Sequence, residues 1–381
     1  HGEEEHCVPP FLAVTRQLRV VLLPPDHAKK GWRFFHLVSQ GLRHHPAVAL
    51  EGCAYVDGHG WQPAPHTTRD LVAHADLVLY LSTSTDSPPY EEHFSTNQTA
   101  FALTEDEARR KLVVLDEGDS PGFYPRVKEN RFLAYFKRSW VKRRDGAAVG
   151  APQRLSERYF PLTYSTSDNY TVPTLIHADR RPRDISCTLR VHEVQPARTR
   201  VAQWVQEAVT QWNLTLAGDR VGEVNKGQRR EINDRYMAQM REAKIVVTCN
   251  PSKWEGDFRL WEAMASGALV FVDHTTTPLA FPPQDGVHLV VYNNSDRTDL
   301  ITKLRFYLDH PDQLRAVAQA GYLHALRHHR AVSRMDYVLA TCLAARGAGG
   351  GVADLSAVSG HTPYLGQDLL RLDGNFSSAV S

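Results

Sequence analysis

The sequence predicts an α/β protein made of two doubly wound domains, and two observations lead to this prediction. Short apolar runs such as Leu18–Leu23 alternate with segments of helical spacing, a pattern typical of parallel sheets with crossover helices. The alternation stops between residues 155 and 183, where Pro, Ser, Thr, Tyr and then Arg are frequent, and it restarts afterwards. The length of 381 residues fits two domains of ordinary size.

In the first half, apolar runs predict the strands and residue spacing predicts the helices. Leu18–Leu23 is mostly apolar and is followed by two prolines, which indicates a strand buried on both faces. A helix over 104–110 opens with Thr104 and has Glu107 three residues later, a capping-box signature. The other predicted strands are 48–56, 75–81, 111–115 and 132–136, and the other predicted helices are 27–42 and 67–75.

The second half repeats the alternation. Its predicted strands are 185–191, 214–217, 245–248, 268–272 and 287–292, and its predicted helices are 197–212, 228–243, 257–266, 300–309, 313–326 and 337–345. The predicted domains are therefore 11–165 and 184–345, joined by a linker at 166–183. The Gly-rich stretch 347–351 opens a polar tail, 346–381, that we expect to be flexible.

Composition excludes several classes of protein. The formal net charge is +1, so the chain has no global field for gathering nucleic acid or an anionic membrane. The sequence contains no run of about 18 apolar residues, so it predicts no membrane span. The 5 Cys are far apart and the 19 His do not reach metal-ligand spacing with them, so we expect no metal.

The chain starts at His1 and holds five N-x-S/T motifs. We therefore expect a secretory-pathway protein whose N-terminal signal or membrane anchor is missing from this sequence. The alternative is that these are ordinary asparagines of a cytosolic protein. The candidate N-glycosylation sites are Asn97, Asn169, Asn213, Asn293 and Asn375.

The segment Tyr236 to Asp273 carries the most chemical information. A predicted buried strand runs into a loop with Gly256, and a helix starts near Asp257. Free N–H groups at such a helix N-terminus form a ready anion site, and Gly256 lets a ligand approach the backbone. Arg259 and Glu262 share one helix face, where a guanidinium suits a phosphate and a carboxylate suits a ribose diol. The alternative is a plain surface ion pair.

The stretch that begins R-L-W-E-A-M-A-S-G at Arg259 and continues to Asp273 resembles the C-terminal signature of GT-B glycosyltransferases. It is most similar to spore-maturation transferases, exostosin-type domains and the Golgi ribitol xylosyltransferase, over about residues 185–338. The resemblance implies two Rossmann-like domains facing across a cleft, with the nucleotide-sugar donor on the C-terminal one. It also implies that Arg259 holds the donor diphosphate and Glu262 the ribose.

Further donor residues follow from the resemblance, each with an alternative. His274 and Thr275 would lie near the sugar or the phosphates, or they form only a turn. Tyr236 would stack on the nucleobase, or it belongs to the core. Arg198, at the start of a helix, would reach a phosphate, or it is a surface residue.

The N-terminal domain is expected to bind the acceptor and to supply a catalytic base. The candidate bases are Asp116, Glu117 and Asp119, after the strand 111–115, and Asp86, after the strand 75–81; the alternative is solvated loop acids. The spacing of Glu255 and Glu262 departs from the E-x7-E pattern of retaining relatives, so we expect inversion.

Three basic residues are predicted to face the cleft. Lys137 and Arg138 belong to a Y-F-K-R stretch found in some related transferases, and the alternative is a basic edge strand. His27 follows the first predicted strand, a cleft-facing position in many GT-B folds.

The predicted function is the transfer of a sugar, from a UDP-sugar co-substrate, to a hydroxyl of a glycan or glycoprotein in the Golgi lumen. The expected partners are this donor and this acceptor, with no nucleic acid, and a membrane only through the missing anchor. No other cofactor is expected, because an arginine and a helix terminus can neutralise the diphosphate. The alternatives are a non-catalytic nucleotide- or glycan-binding module and a nucleotide-sugar epimerase of the same fold.

Overall fold

The structure is a computed structural model of the chain. It describes residues 17–23, 32–51, 53–56, 60–63, 68–82, 103–118, 132–139, 142–144, 147–149, 158–168, 171, 177–218, 221–222, 234–252, 254–275, 277 and 279–347. The predicted tail, 346–381, therefore lies outside the described residues except for its first two positions.

The N-terminal half builds a six-stranded parallel sheet in the order β10-β7-β6-β5-β1-β2. Two short antiparallel hairpins, β3–β4 and β8–β9, accompany it. The strands are β1 Leu18–Leu23, β2 Val48–Glu51, β3 Cys53–Val56, β4 Gly60–Pro63, β5 Leu77–Ser82, β6 Leu112–Asp116, β7 Ala134–Lys137, β8 Lys142–Arg144, β9 Ala147–Val149 and β10 Tyr159–Pro161.

Helices cover this sheet because its strands are apolar on both faces. Alternate residues of the central strands enter two separate buried clusters, one on each side of the sheet. The helices are α1 Trp32–His44, α2 Thr68–His74 and α3 Glu105–Lys111. The capping box predicted at the start of α3 is present, with Thr104 and Glu107 bonded to each other's backbone N–H groups.

The C-terminal half builds a four-stranded parallel sheet in the order β11-β12-β13-β14. Its strands are β11 Arg183–Ser186, β12 Ala243–Val247, β13 Leu269–Asp273 and β14 Val290–Tyr292. Its helices are α4 Pro196–Trp212, α5 Asp234–Glu242, α6 Phe258–Ala265, α7 Arg297–Asp309 and α8 Pro311–His328. Gly267 ends the α6 segment with a positive φ of 78°, as its position in the sequence predicts.

The last helix, α9 Ala331–Gly347, returns to the N-terminal half. It packs against α1, where a Cβ on Gly41 would collide with the carbonyl of Ala331. The Tyr337 hydroxyl donates to the carbonyl of Pro161 at 3.1 Å. Residues 331–345 therefore pack with the N-terminal domain, whereas the predicted boundaries place them in the C-terminal one.

The two chain crossings between the domains are bonded to each other. Thr166 N–H donates to the carbonyl of His329 at 2.8 Å, and Ala331 N–H donates to the carbonyl of Thr166 at 3.0 Å. The two crossing segments therefore run side by side and are paired through their backbones.

Three local predictions are wrong. The segment 48–56 is not one strand, because Cys53–Val56 pairs antiparallel with Gly60–Pro63 instead of extending the main sheet. Tyr159–Pro161, predicted as part of the irregular region, is an edge strand beside β7. The strand predicted over 111–115 runs one residue further, so that Asp116 pairs in register with Lys137 inside the sheet.

Candidate active site

The topology opens a crevice between β11 and β12. From β11 the chain leads through α4 to Leu216, which bridges to Ile185 on the far side of β11. From β12 the chain leads through α6 to β13, on the opposite side. The connections diverge at this point, and ligands of open α/β sheets bind at the carboxyl ends of strands where this happens.

Two arginines and one aspartate meet at the crevice. Arg198 lies in the first turn of α4, and Arg259 lies in the first turn of α6. The Oδ2 atom of Asp257, which precedes α6, accepts from Arg198 Nη2 at 2.5 Å and from Arg259 Nη1 at 3.1 Å. The three side chains are only 7–12% exposed. The structure therefore brings together two of the predicted phosphate ligands through a carboxylate that the sequence patterns did not single out.

This cluster carries an excess of positive charge. Burial raises the pKa of Asp257, but the Arg259 and Arg198 guanidiniums outweigh it and hold that pKa below its ordinary value. Two guanidiniums and one carboxylate give a local formal charge of +1. Because the positive end of the α6 dipole lies at the same place, the cluster is suited to an anionic ligand.

The loop before α6 is fixed by hydrogen bonds to the next strand. Asp273 Oδ1 accepts from Asn250 N and Nδ2 at 2.7 and 2.9 Å, and Asp273 Oδ2 accepts from Asn294 Nδ2 at 2.6 Å. The Asn250 amide oxygen in turn accepts from Gly256 N at 2.8 Å. Gly256 has a φ of 74°, a left-handed conformation that favours glycine. The loop is thus pre-organised by Asp273, another residue that local patterns do not identify.

Glu262 and Tyr236 lie deeper than their predicted roles require. The Tyr236 hydroxyl donates to Glu262 Oε2 at 2.9 Å. Tyr236 is 5% exposed and belongs to the hydrophobic core, as the core alternative expects, and its stacking on a nucleobase stays a prediction. Glu262 is 1% exposed, so its carboxylate is shielded from solvent here and its role toward a ribose stays a prediction.

The predicted loop after β13 lines a cavity of about 380 Å³. His274 is exposed and Thr275 is half-buried at its polar edge. Glu255 is 2% exposed, and its Oε2 atom accepts from Thr277 N at 2.5 Å, which ties this loop to the one before α6. The apolar floor of the cavity includes Leu260, Val272, Leu279, Leu289 and Val291.

The N-terminal domain contributes a buried ion pair rather than a free base at Asp116. Asp116 Oδ2 accepts from Lys137 Nζ at 2.8 Å and from the Tyr135 hydroxyl at 2.5 Å. Asp116 Oδ1 accepts from Gly118 N at 2.7 Å. Asp116 is 1% exposed and Lys137 0%, so neither the expected base nor the expected cleft lysine is accessible to a substrate. β6 and β7 each run one residue further than predicted, so both side chains belong to the sheet and not to the loops after it.

Glu117, the next residue, lies on the side of the C-terminal domain. Its Oε1 atom accepts from the Tyr164 hydroxyl at 3.0 Å, and the Tyr164 ring stacks on Phe258, the first residue of α6, at 3.5 Å. Arg138 donates to the Glu117 carbonyl and lies over the Trp254 ring at 4.0 Å. The structure therefore brings Glu117 and the buried Arg138 up to the loop that leads into α6, and their roles toward a substrate stay predictions.

The remaining predicted residues divide into described and masked positions. Asn213 and Asn293 are exposed, as an N-glycan acceptor must be. Outside the described residues lie Asp86, Asp119, His27, Asn97, Asn169 and Asn375.

Two kinds of feature are absent from the described residues. No helix among them combines the length and the apolar character needed to cross a membrane. Within the same part of the chain, no group of three or more His, Cys, Asp or Glu is arranged to hold a metal ion.

Comparison with protein families gives one match. Residues 198–340 match the family described as glycosyl transferase-like, and this range contains Arg198, Asp257, Arg259 and Glu262. No curated protein matches the chain.

Solved structures resemble almost the whole fold. An alpha-glucosyltransferase solved with UDP-glucose and DNA containing an abasic site has a TM-score of 0.52 and 10% identity, over 86% of this chain and 100% of that one. HepE from Anabaena, solved with UDP and glucose, has a TM-score of 0.45 and 12% identity, over 85% and 98%. A glycosyltransferase from Rickettsia africae has a TM-score of 0.49 and 9% identity, over 85% and 97%.

These comparisons confirm the predictions at a coarse level. The family match identifies a glycosyl transferase-like segment over residues 198–340, within the predicted donor-binding domain, and the match to the alpha-glucosyltransferase confirms the GT-B fold of two Rossmann-like domains.

Proposed function

We propose that this chain, whose residues 198–340 match the glycosyl transferase-like family, transfers a sugar from a UDP-sugar to a hydroxyl of a glycan or glycoprotein. One observation carries this proposal: the cluster of Arg198, Asp257 and Arg259 at the N-terminus of α6, in the crevice between β11 and β12. Its excess positive charge and the α6 dipole suit a diphosphate.

The same cluster serves the chemistry of the transfer. A glycosyl donor reacts when the bond between the anomeric carbon and the diphosphate oxygen breaks, which leaves negative charge on UDP. Arg259 and the N–H groups at the start of α6 stabilise that charge without needing a metal ion. Because Asp273 holds the loop before α6 in place, these hydrogen-bond donors need little reorganisation during the reaction.

Uridine as the nucleotide rests on structural likeness. The alpha-glucosyltransferase of the same fold was solved with UDP-glucose. We infer the same nucleotide for this chain, with the sugar to be identified by assay.

Glu117 is the proposed base, acting in a single displacement with inversion. Its carboxylate removes the proton of the acceptor hydroxyl, whose oxygen then forms the new bond to the anomeric carbon while UDP departs. Glu117 is half-buried and linked through Tyr164 to Phe258 at the start of α6, a position that supports this role. Asp116 instead holds Lys137 in the sheet.

The secretory pathway, and within it the Golgi lumen, is the proposed compartment. The exposure of Asn213 and Asn293, each in an N-x-S/T motif, supports it. Expression in a glycosylating cell line followed by endoglycosidase treatment tests this part. We expect a mass shift that is smaller in the double variant Asn213→Gln and Asn293→Gln, in which three further candidate sites remain, and unmodified asparagines at both sites would contradict the proposed compartment.

The activity is tested with a panel of UDP-sugars and glycan acceptors, by measuring UDP release and the anomeric configuration of the product by NMR. We expect UDP release that requires an acceptor, inverted product, and loss of both in Arg259→Ala. Conversion of a donor without acceptor would indicate an epimerase. Nucleotide binding with no turnover on any pair would indicate a binding module.

A further inference from the structure

The two domains meet at one aromatic and cationic contact beside the loop that leads into α6. The Arg138 guanidinium carbon lies 4.0 Å from the Trp254 ring centroid and 4.6 Å from that of Tyr164. Arg138 is 1% exposed. A guanidinium packed against two rings and shielded from water makes a cation–π contact that is stronger than one at an exposed site.

The same guanidinium also holds the proposed base. Arg138 Nε and Nη2 both donate to the carbonyl oxygen of Glu117, at 3.0 and 2.6 Å. The Glu117 carboxylate accepts from Tyr164, whose ring lies against both Trp254 and Phe258. Arg138, in the N-terminal domain, therefore contacts the proposed base on one side and the loop that leads into α6 on the other.

Trp254 is well placed to transmit this contact to the anion site. It lies two residues before Gly256, whose left-handed conformation turns the chain, and three before Asp257, which binds Arg198 and Arg259. On the other side of Gly256 the nearest atom to an added Cβ is the Thr163 methyl, at 3.9 Å. The N-terminal domain thus lies against the loop along residues 254–258.

We infer that Arg138 is a positioning residue that couples the two halves of the site: it fixes loop residues 254–257 for donor binding and sets the distance from Glu117 to the start of α6. This inference rests on the proposed function. A loop released from Arg138 would sample other conformations, and a ligand that needs the fixed one would bind more weakly in proportion to its lost population.

The test measures UDP affinity by calorimetry on the full chain, together with the melting temperature. Arg138→Met and Trp254→Leu should each weaken UDP binding between about twofold and thirtyfold, the range of a cation–π contact. The double variant should bind UDP about as tightly as whichever single variant binds it more weakly, because both changes remove the same contact between Arg138 and Trp254. Arg138→Lys should recover part of the loss, since it keeps a cation over the rings.

Arg158→Met is the matched control. Arg158 Nη1 donates to the Phe132 carbonyl at 2.7 Å in the same domain, and among the described residues its side chain forms no hydrogen bond or ion pair with the loop that leads into α6. We expect a lower melting temperature with unchanged UDP affinity. Should Arg138→Met fail to fold, Trp254→Leu carries the test, because the Trp254 side chain is only half-buried.

The outcomes separate the inference from the proposed function. If the wild-type chain binds no UDP, the proposed donor site fails and the inference fails with it. If the wild-type chain binds UDP, and Arg138→Met and Trp254→Leu bind it equally well despite lower melting temperatures, the donor site stands and Arg138 is a structural residue only.

Discussion

Replacing Asp257 with Asn should cost about 3–5 kcal/mol of unfolding free energy at pH 7. Asp257 is the shared partner of Arg198 and Arg259, at 2.5 and 3.1 Å, and its side chain is 12% exposed. Asn keeps the shape and removes the charge, so two buried guanidiniums lose their carboxylate. Breaking a buried ion pair by removing one partner typically costs this much.

The effect has a defined dependence on pH. The folded pKa of Asp257 is lowered below its unfolded value, which is about 3.9 for a free Asp. The stabilisation is therefore fully present above the unfolded pKa and is lost as the pH falls through the folded pKa. The difference between wild type and variant should stay constant from about pH 5 to pH 8 and shrink below about pH 4.

Urea unfolding with linear extrapolation measures both quantities. The control is Asp309→Asn, which breaks the exposed pair of Arg305 and Asp309 and should cost less than about 1 kcal/mol. A loss at Asp257→Asn as small as that of the control would refute a buried cluster at the start of α6.

Four further substitutions have defined outcomes. Burial, helped by the charge of a neighbouring histidine, lowers the pKa of His324 to about 4. Below about pH 6.5 the unfolded chain therefore binds a proton that the folded chain does not, and the free energy of unfolding should fall from pH 7 to pH 5. Urea unfolding of His324→Gln over this pH range should show a shallower fall. Gly256→Ala should lower the free energy of unfolding by about 1–2 kcal/mol because residue 256 has a positive φ, and it should weaken UDP binding as measured by calorimetry. Asp116→Asn should lower the free energy of unfolding by about 3–5 kcal/mol, because it breaks the buried ion pair with Lys137. Glu117→Gln should abolish UDP release in the transfer assay and leave the melting temperature nearly unchanged.

Local sequence signals were sufficient for most of the fold. The strand β1 has the bounds that its apolar run predicts, and the capping box at Thr104 marks the start of α3. The hairpin of β3 and β4 was missed, although the Asp57-Gly58 dipeptide between the two strands is a hairpin signal. The edge strand β10 was missed because it has only three residues, and pairing with β7 rather than local pattern defines it.

The site required contacts that no local pattern contains. Arg198 and Arg259 were predicted separately as phosphate ligands, but Asp257 joins them across 59 residues of sequence. Asp273 fixes the loop before α6 from the neighbouring strand, 23 residues after Asn250. The prediction for Asp116 failed for a local reason: the end of β6 was predicted one residue too early, so a residue of the sheet was taken for a loop residue.

The central claim is an anion site for UDP at the start of α6, and the melting temperature with and without UDP tests it most directly. UDP at about a hundred times its dissociation constant should stabilise the wild-type chain by about 2.7 kcal/mol. Arg259→Gln should lose most of that stabilisation while remaining folded. A wild-type chain whose melting temperature does not change with UDP, or an Arg259→Gln variant stabilised as much as wild type, would contradict the account.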